Sequence, residues 1–214
     1  MKNQLYCAII GDIISSRIIP NRAKVQNQFL HTIDSLNKEF RNLIVSEFRF
    51  RVSHGDAFEG LLVGPAESYR LARRLQDMME PVSISIGIGV GSLSTKQVKN
   101  VDMVDGDAFY RARRALELAQ KKKQEVMFDF DYPALNLTNT LVGWMEKEWE
   151  RLTSRQREII QQMKVLKSQG AVARKLKISQ PAVSKVLSIP TIRKMTESER
   201  VLYEFLAFLA EYLI

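Results

Sequence analysis

The chain has 214 residues, 45% hydrophobic and 26% charged, enough apolar content for one large core or two smaller ones. A single cysteine, Cys7, excludes an internal disulfide framework and suits a reducing compartment. No apolar stretch approaches the about 20 residues of a membrane helix, and the N-terminus lacks a secretory pattern, so the expected location is the cytoplasm.

In chain order, Leu5–Ile10 is a short apolar run stopped by Gly11-Asp12 and reads as a buried strand holding an inert Cys7. From Asn21 to about Leu43, Val25, Phe29, Ile33, Leu36 and Phe40 recur at helical spacing. His31 falls in this amphipathic helix as a surface residue. The alternating segment Phe48–Val52, the turn His54-Gly55-Asp56 and Ala57–Val63 predict a β-hairpin. A helix opened by Pro65-Ala66-Glu67 ends before Pro81, and Val82–Val90 alternates as a strand. The glycines on one side of that strand predict something packed close to its backbone. Asp107–Lys121 is a third helix and Glu125–Phe130 a last strand.

This order, β-α-β-β-α-β-α-β, predicts an α+β domain over residues 1–130, one sheet with helices on one face. Beyond the Pro-containing link at Asp131–Leu135 every segment reads helical. The expected division is a linker helix at 131–150, a helix-turn-helix domain at 151–195 and an apolar helix at 196–214. That last helix carries Val201, Leu202, Phe205, Leu206, Phe208, Leu209, Tyr212 and Leu213, more apolar surface than one buried face needs. A homodimer contact is the expectation drawn from it.

The net charge of +8 is unevenly placed. Residues 1–130 hold 19 Lys/Arg and 15 Asp/Glu, whereas Arg151–Met195 holds eleven basic residues and one acid, Glu158. A solvated face mixes signs; a phosphate-binding face does not. In the same segment Thr153 or Ser154 can cap a helix, Ser168-Gln169-Gly170 breaks it, and Ala171–Leu176 forms a short second one. Lys177-Ile178-Ser179 is a turn, and Ser179 caps a third helix with Pro181 in its first turn. The run from Ala171 to Lys185 resembles sigma-factor region-4-like and related bacterial DNA-binding helices. That resemblance implies double-stranded DNA as partner, with Ser179, Gln180, Pro181, Ser184 and Lys185 facing the major groove. Arg155, Arg157, Arg174 and Lys175 would then hold backbone phosphates.

In the first domain, Asp12 ends a strand and Asp56 sits at a hairpin tip, so adjacent antiparallel strands would bring the two carboxylates to one edge. Such pairs hold hard cations, here Mg2+, for phosphate chemistry, and amides of Ile13, Ile14, Ser15 and Ser16 could cradle a phosphate. Turn chemistry alone also favours Gly-Asp pairs. The two histidines, His31 and His54, are too separated for a metal site.

Four segments occur in the order of the class III nucleotide cyclase catalytic domain, which they resemble: Gly11–Ser16, Val52–Glu59, Gly87–Gly91 and Gly106–Arg114. The resemblance implies a palm-like, ferredoxin-like fold, metal positions at Asp12 and Asp56, and a transition-state arginine at Arg114. It departs where a base-selecting lysine would stand, at Val52, and where a ribose-positioning asparagine would stand, at Tyr110, which leaves Tyr110, Arg51 or His54 to contact a nucleotide. Such a domain followed by a helix-turn-helix resembles the SatD family. The expected function is a DNA-binding, transcription-regulating sensor of a nucleotide. Its rivals are a nucleotidyl cyclase or related phosphoryl-transferring enzyme tethered to DNA, and a non-catalytic dimerising scaffold.

Overall fold

The structure, a computed structural model, describes residues 5–14, 21–53, 55–93 and 106–212. The chain divides into two compact units: Met1–Val142 with Tyr203–Ile214, and Gly143–Leu202. Among the described residues no helix is long and apolar enough to cross a membrane.

The first unit is built on five strands: β1 (Tyr6–Ile13), β2 (Arg51–Ser53), β3 (Ala57–Leu62), β4 (Ile84–Gly91) and β5 (Val126–Asp129). Their order is β2-β3-β1-β4-β5. β1 is antiparallel to both neighbours, while β4 and β5 run parallel. Helices α1 (Arg22–Glu39), α2 (Ser68–Met79) and α3 (Asp107–Lys122) connect them.

Side-chain alternation assigns the faces. On one face Phe58 meets Phe29 of α1, and the Cys7 thiol meets Ser68 at the start of α2. Complete burial pushes that thiol up to about 12, which leaves it un-ionised and inert. On the other face Ala8, Ile10 and Leu61 pack against Ala108, Phe109 and Ala112 of α3. The α+β reading holds at this level, but the expectation of helices on one face is corrected: α3 lies opposite α1 and α2.

The glycines explain how. A Cβ on Gly87 would stand 2.1 Å from the Ala112 carbonyl oxygen, and one on Gly89 2.2 Å from the Ala108 oxygen and the Ala112 nitrogen. Only hydrogen at these positions lets the backbone of α3 rest on β4. The connections β3-α2-β4 and β4-α3-β5 step the same way along the sheet with the same strand direction. Changing face therefore reverses the hand of the second. Crossovers are nearly always right-handed, and these two cannot both be.

The strand expected at Phe48–Val52 is also shorter. Ser46–Phe48 is a 3-10 turn, and Phe50 is held by a side chain instead of a neighbouring strand. Asn37 Nδ2 donates to the Phe50 carbonyl at 2.8 Å, and the Phe50 amide donates to Asn37 Oδ1 at 3.0 Å. At the far edge Asn139 treats Phe128 in the same way, at 2.9 and 2.8 Å. Two asparagine amides thus stand in for strands beside the outermost strands.

The second unit contains α5 (Ser154–Leu166), α6 (Gln169–Leu176) and α7 (Gln180–Leu187), with parts of α4 (Leu135–Arg151) and α8 (Pro190–Tyr212). Thr153 caps α5 in a reciprocal box with Gln156, Ser168 caps α6, and Ser179 caps α7. Ile159, Val172, Ala173 and Val183 form one buried cluster, joined by Ile178 from the turn between α6 and α7. A second cluster gathers Leu152, Ile160, Ile192 and Met195, flanked by Trp144 and Trp149.

The division expected at 195/196 falls inside the single helix α8. Part of its apolar surface is used within the chain: Leu202, Leu206 and Leu209 are buried and the Phe205 ring packs on Phe130 and Tyr132, whereas Val201 and Phe208 are exposed. The expectation of a second copy then rests on the exposed Val201 and Phe208.

Candidate functional site

Asp12 is the penultimate residue of β1, opposite Ala57 of β3 and Ser85 of β4. Asp56 lies in the turn before β3, where Gly55 takes a positive φ of 85°. The Ile13 amide donates to the Asp56 carbonyl oxygen at 3.0 Å, which fixes the turn against the end of β1. Partial burial first, and the Asp56 charge second, hold the Asp12 carboxyl above its ordinary value, with a backbone hydrogen bond at Ile13 opposing them. The two acids thus feel one another at one sheet edge. Two hard oxygen donors whose charges repel are suited to a divalent cation that takes its remaining ligands from water or phosphate. Among the described residues no group of three or more acid, histidine or cysteine side chains gathers.

The phosphate cradle is corrected in part. Besides the Ile13 bond, the Ile14 amide donates to the Ser83 oxygen at 2.9 Å. Both amides are spent on the main chain and cannot receive a ligand. Ser15, Ser16 and His54 lie outside the described residues.

Arg114 does not join Asp12. Its guanidinium donates to Asp129, and that hydrogen bond first and the carboxylate charge second hold Arg114 in its charged form. Asp129 is level with Gly89, and Gly89 with Ala8. Four residues along β1 and two strand spacings separate that row from Asp12, about 16 Å between Cα positions. Tyr110, one turn before Arg114, is 55% exposed on the same helix. Val52 pairs with the buried Phe58 and shares its α1-facing side, whereas Asp12 lies on the α3-facing side with Ala8 and Ile10.

Two neighbours on the Asp12 side were not singled out by the sequence reading as a pair. Glu59 pairs with both Ile10 and Arg51, and the Arg51 guanidinium donates to Glu59 Oε1 from Nε at 3.2 Å and Nη2 at 2.8 Å. Period-two alternation from Ala57 onward was the available signal.

In the helical unit, Arg174, Lys175, Lys177 and Lys185 are exposed on α6, the turn and α7, and the segment 169–187 contains no acid. Among the described residues none of these four forms an ion pair. Gln180 and Pro181 are exposed at the start of α7, Ser179 is its cap, and Ser184 is half-buried. Arg155 and Arg157 differ. Arg155 pairs with Glu158 and donates to the Leu176 carbonyl at 2.9 Å, and Arg157 donates to the Leu152 carbonyl at 3.2 Å. Both secure helix ends.

Strand order and the acid pair define a ferredoxin-like sheet unit extended by a fifth strand and followed by a compact helical unit. Residues 6–201 match the model of the SatD family, and the chain belongs to that family. Among solved structures it is similar to a bacterial light-regulated adenylyl cyclase, with 12% identity over 60% of this chain and 77% of the other and a TM-score of 0.42. It is similar also to the GGDEF domain of PA1120 from Pseudomonas aeruginosa, with 14% identity over 60% and 84% and a TM-score of 0.40. A third is the diguanylate cyclase SiaD of Pseudomonas aeruginosa in complex with its activator SiaC, with 14% identity over 59% and 50% and a TM-score of 0.43. No curated protein matches the sequence.

Proposed function

We propose that this protein is a DNA-binding regulator whose sheet unit senses a phosphorylated ligand, a nucleotide, through Mg2+ held by Asp12 and Asp56. The observation that carries the reading is the acid-free surface of α6 and α7, where Arg174, Lys175, Lys177 and Lys185 are exposed together. Two short capped helices joined by a three-residue turn, with Ile178 packed inward, have the form of a helix-turn-helix. In this reading the exposed Gln180, Pro181 and Lys185 of α7, with Ser179 and Ser184, meet base edges and the cations of α6 meet phosphates. Arg155 and Arg157 contribute by holding the helices.

The test is a salt titration of the full chain on duplex DNA by fluorescence anisotropy. Replacing Arg174 and Lys175 together by Gln should lower the slope of log K against log salt by about 1.8, at about 0.9 per lost phosphate contact. An unchanged slope removes this surface from the interface and the regulator reading with it.

Sensing is favoured over catalysis because Arg114 and Tyr110 are remote from Asp12 in the chain and Val52 lies on the other side of the sheet. Ligand binding without turnover is expected; pyrophosphate released from ATP or GTP with Mg2+, and lost in Asp56→Ala, would instead establish the enzyme.

A further inference from the structure

On the sheet face that carries Asp12, β4 presents Ser85, Gly87, Gly89 and Gly91 in alternation, and the three glycines give α3 its room. Ser85 ends this series as the register partner of Asp12 itself, so the two side chains stand side by side on one face. Asp12 is half-buried, while Ser85 is only 2% exposed. Among the described residues the Ser85 hydroxyl makes no hydrogen bond. Packing under a helix needs a small residue there, and alanine would serve without withdrawing a hydroxyl from water unpaired. A buried hydroxyl left unpaired next to a half-buried carboxylate points to a ligand that the two share.

The spacing suits a cation. Register partners on antiparallel strands hold their Cβ atoms about 5 Å apart. Two oxygens bound to one Mg2+, each at about 2.1 Å, lie about 3 Å apart, within reach of an aspartate and a serine leaning together. We infer that the Ser85 hydroxyl is a third protein ligand of the divalent cation held by Asp12 and Asp56, reaching it from the buried side. This rests on the cation-site reading above and extends its ligand set. A neutral oxygen fits the electrostatics. Asp12 and Asp56 already repel one another, and a hydroxyl offers a lone pair without adding a third negative charge. Water or phosphate oxygens then take the solvent side.

Mn2+, which takes the same oxygen ligands as Mg2+, tests the assignment when titrated into the full chain with the free ion counted by electron paramagnetic resonance. Ser85→Ala should weaken binding at least about tenfold, an effect that even groups behind a metal's ligands produce. Without metal the same variant should melt about 2 °C higher, because an unpaired hydroxyl is gone. Ser85→Cys should bind Mn2+ weakly and gain Cd2+ binding, with the ultraviolet band of a Cd2+–thiolate bond. Cys7 does not compete, since burial pushes its thiol up to about 12. Unchanged Mn2+ binding in Ser85→Ala, a lower melting temperature of that variant, or Ser85→Cys without the thiolate band overturns the role of Ser85. In each of those cases, loss of Mn2+ binding in Asp12→Asn keeps the acid pair as the cation site. If wild type binds no Mn2+, or Asp12→Asn binds it equally, the cation-site reading fails and the role of Ser85 fails with it.

Discussion

Like charges are gathered in both units, and the two units treat them in opposite ways. In the sheet unit, Asp12 and Asp56 are brought together by strand register and a backbone hydrogen bond, partly out of water, and the protein bears the repulsion. In the helical unit, four cations are set at exposed positions of α6, the turn after it and α7, with acids kept out of the segment. A crowded pair has an unfavourable folded-state charge that a small multivalent cation can relieve. A spread row has almost none, and instead presents a field to an extended polyanion. The same contrast runs through the packing: the sheet unit depends on contacts between distant residues, the helical unit on caps and turns close in sequence.

The sharpest way to break this contrast is with glycine. Gly89→Val should destabilise the chain by at least about 4 kcal/mol, because the new side chain meets the backbone of α3, which cannot yield locally. Urea unfolding followed by circular dichroism measures it, and a loss under about 1 kcal/mol would mean that α3 does not rest on β4. Leu206→Ala should cost about 3 kcal/mol by emptying a buried site, with no change in oligomeric state by light scattering. A variant that dissociates a dimer instead would place Leu206 itself in an intermolecular contact. In the helical unit Ser179→Ala should cost about 1 kcal/mol through loss of the α7 cap, and lower DNA affinity without altering its salt slope. Gly170→Ala, where a Cβ meets nothing nearer than 3.7 Å, should gain about 0.5 kcal/mol.

The smallest effect is that of Asp12→Asn. The Asp12 carboxyl holds its proton more tightly in the folded chain than in the unfolded one, so wild-type stability falls as pH rises from the ordinary carboxylate value through the raised one. The amide variant should therefore be slightly more stable than wild type at pH 7, with the difference vanishing below pH 3.8, the ordinary value. Added Mg2+ should raise the melting temperature of wild type and leave Asp12→Asn unmoved.

The caps at Ser168 and Ser179, the turn at Lys177–Ser179 and the helices around it could be read from the sequence because each is decided within a few residues. The close approach at Gly87, Gly89 and Gly91 was also visible, but not which helix made it or on which side. That depends on the hand of a long crossover, which no local pattern encodes. The hydrogen bonds of Asn37 and Asn139 were equally hidden, since an asparagine in a helical stretch carries no mark of a target elsewhere in the chain. Of the site, the meeting of Asp12 and Asp56 followed from turn and strand signals. The spent amides of Ile13 and Ile14 and the partnership of Arg114 with Asp129 required the register.

Those two asparagines have a consequence for how copies of the chain meet. A strand at a sheet margin is an open template, and proteins with bare margins grow into polymers by adding strands from other molecules. Here a carboxamide already occupies the main chain at Phe50 on one rim and at Phe128 on the other. Assembly by strand donation is obstructed at both rims, so the protein can be concentrated without zipping into fibres. Replacing Asn37 and Asn139 by leucine would lift that protection at a stroke.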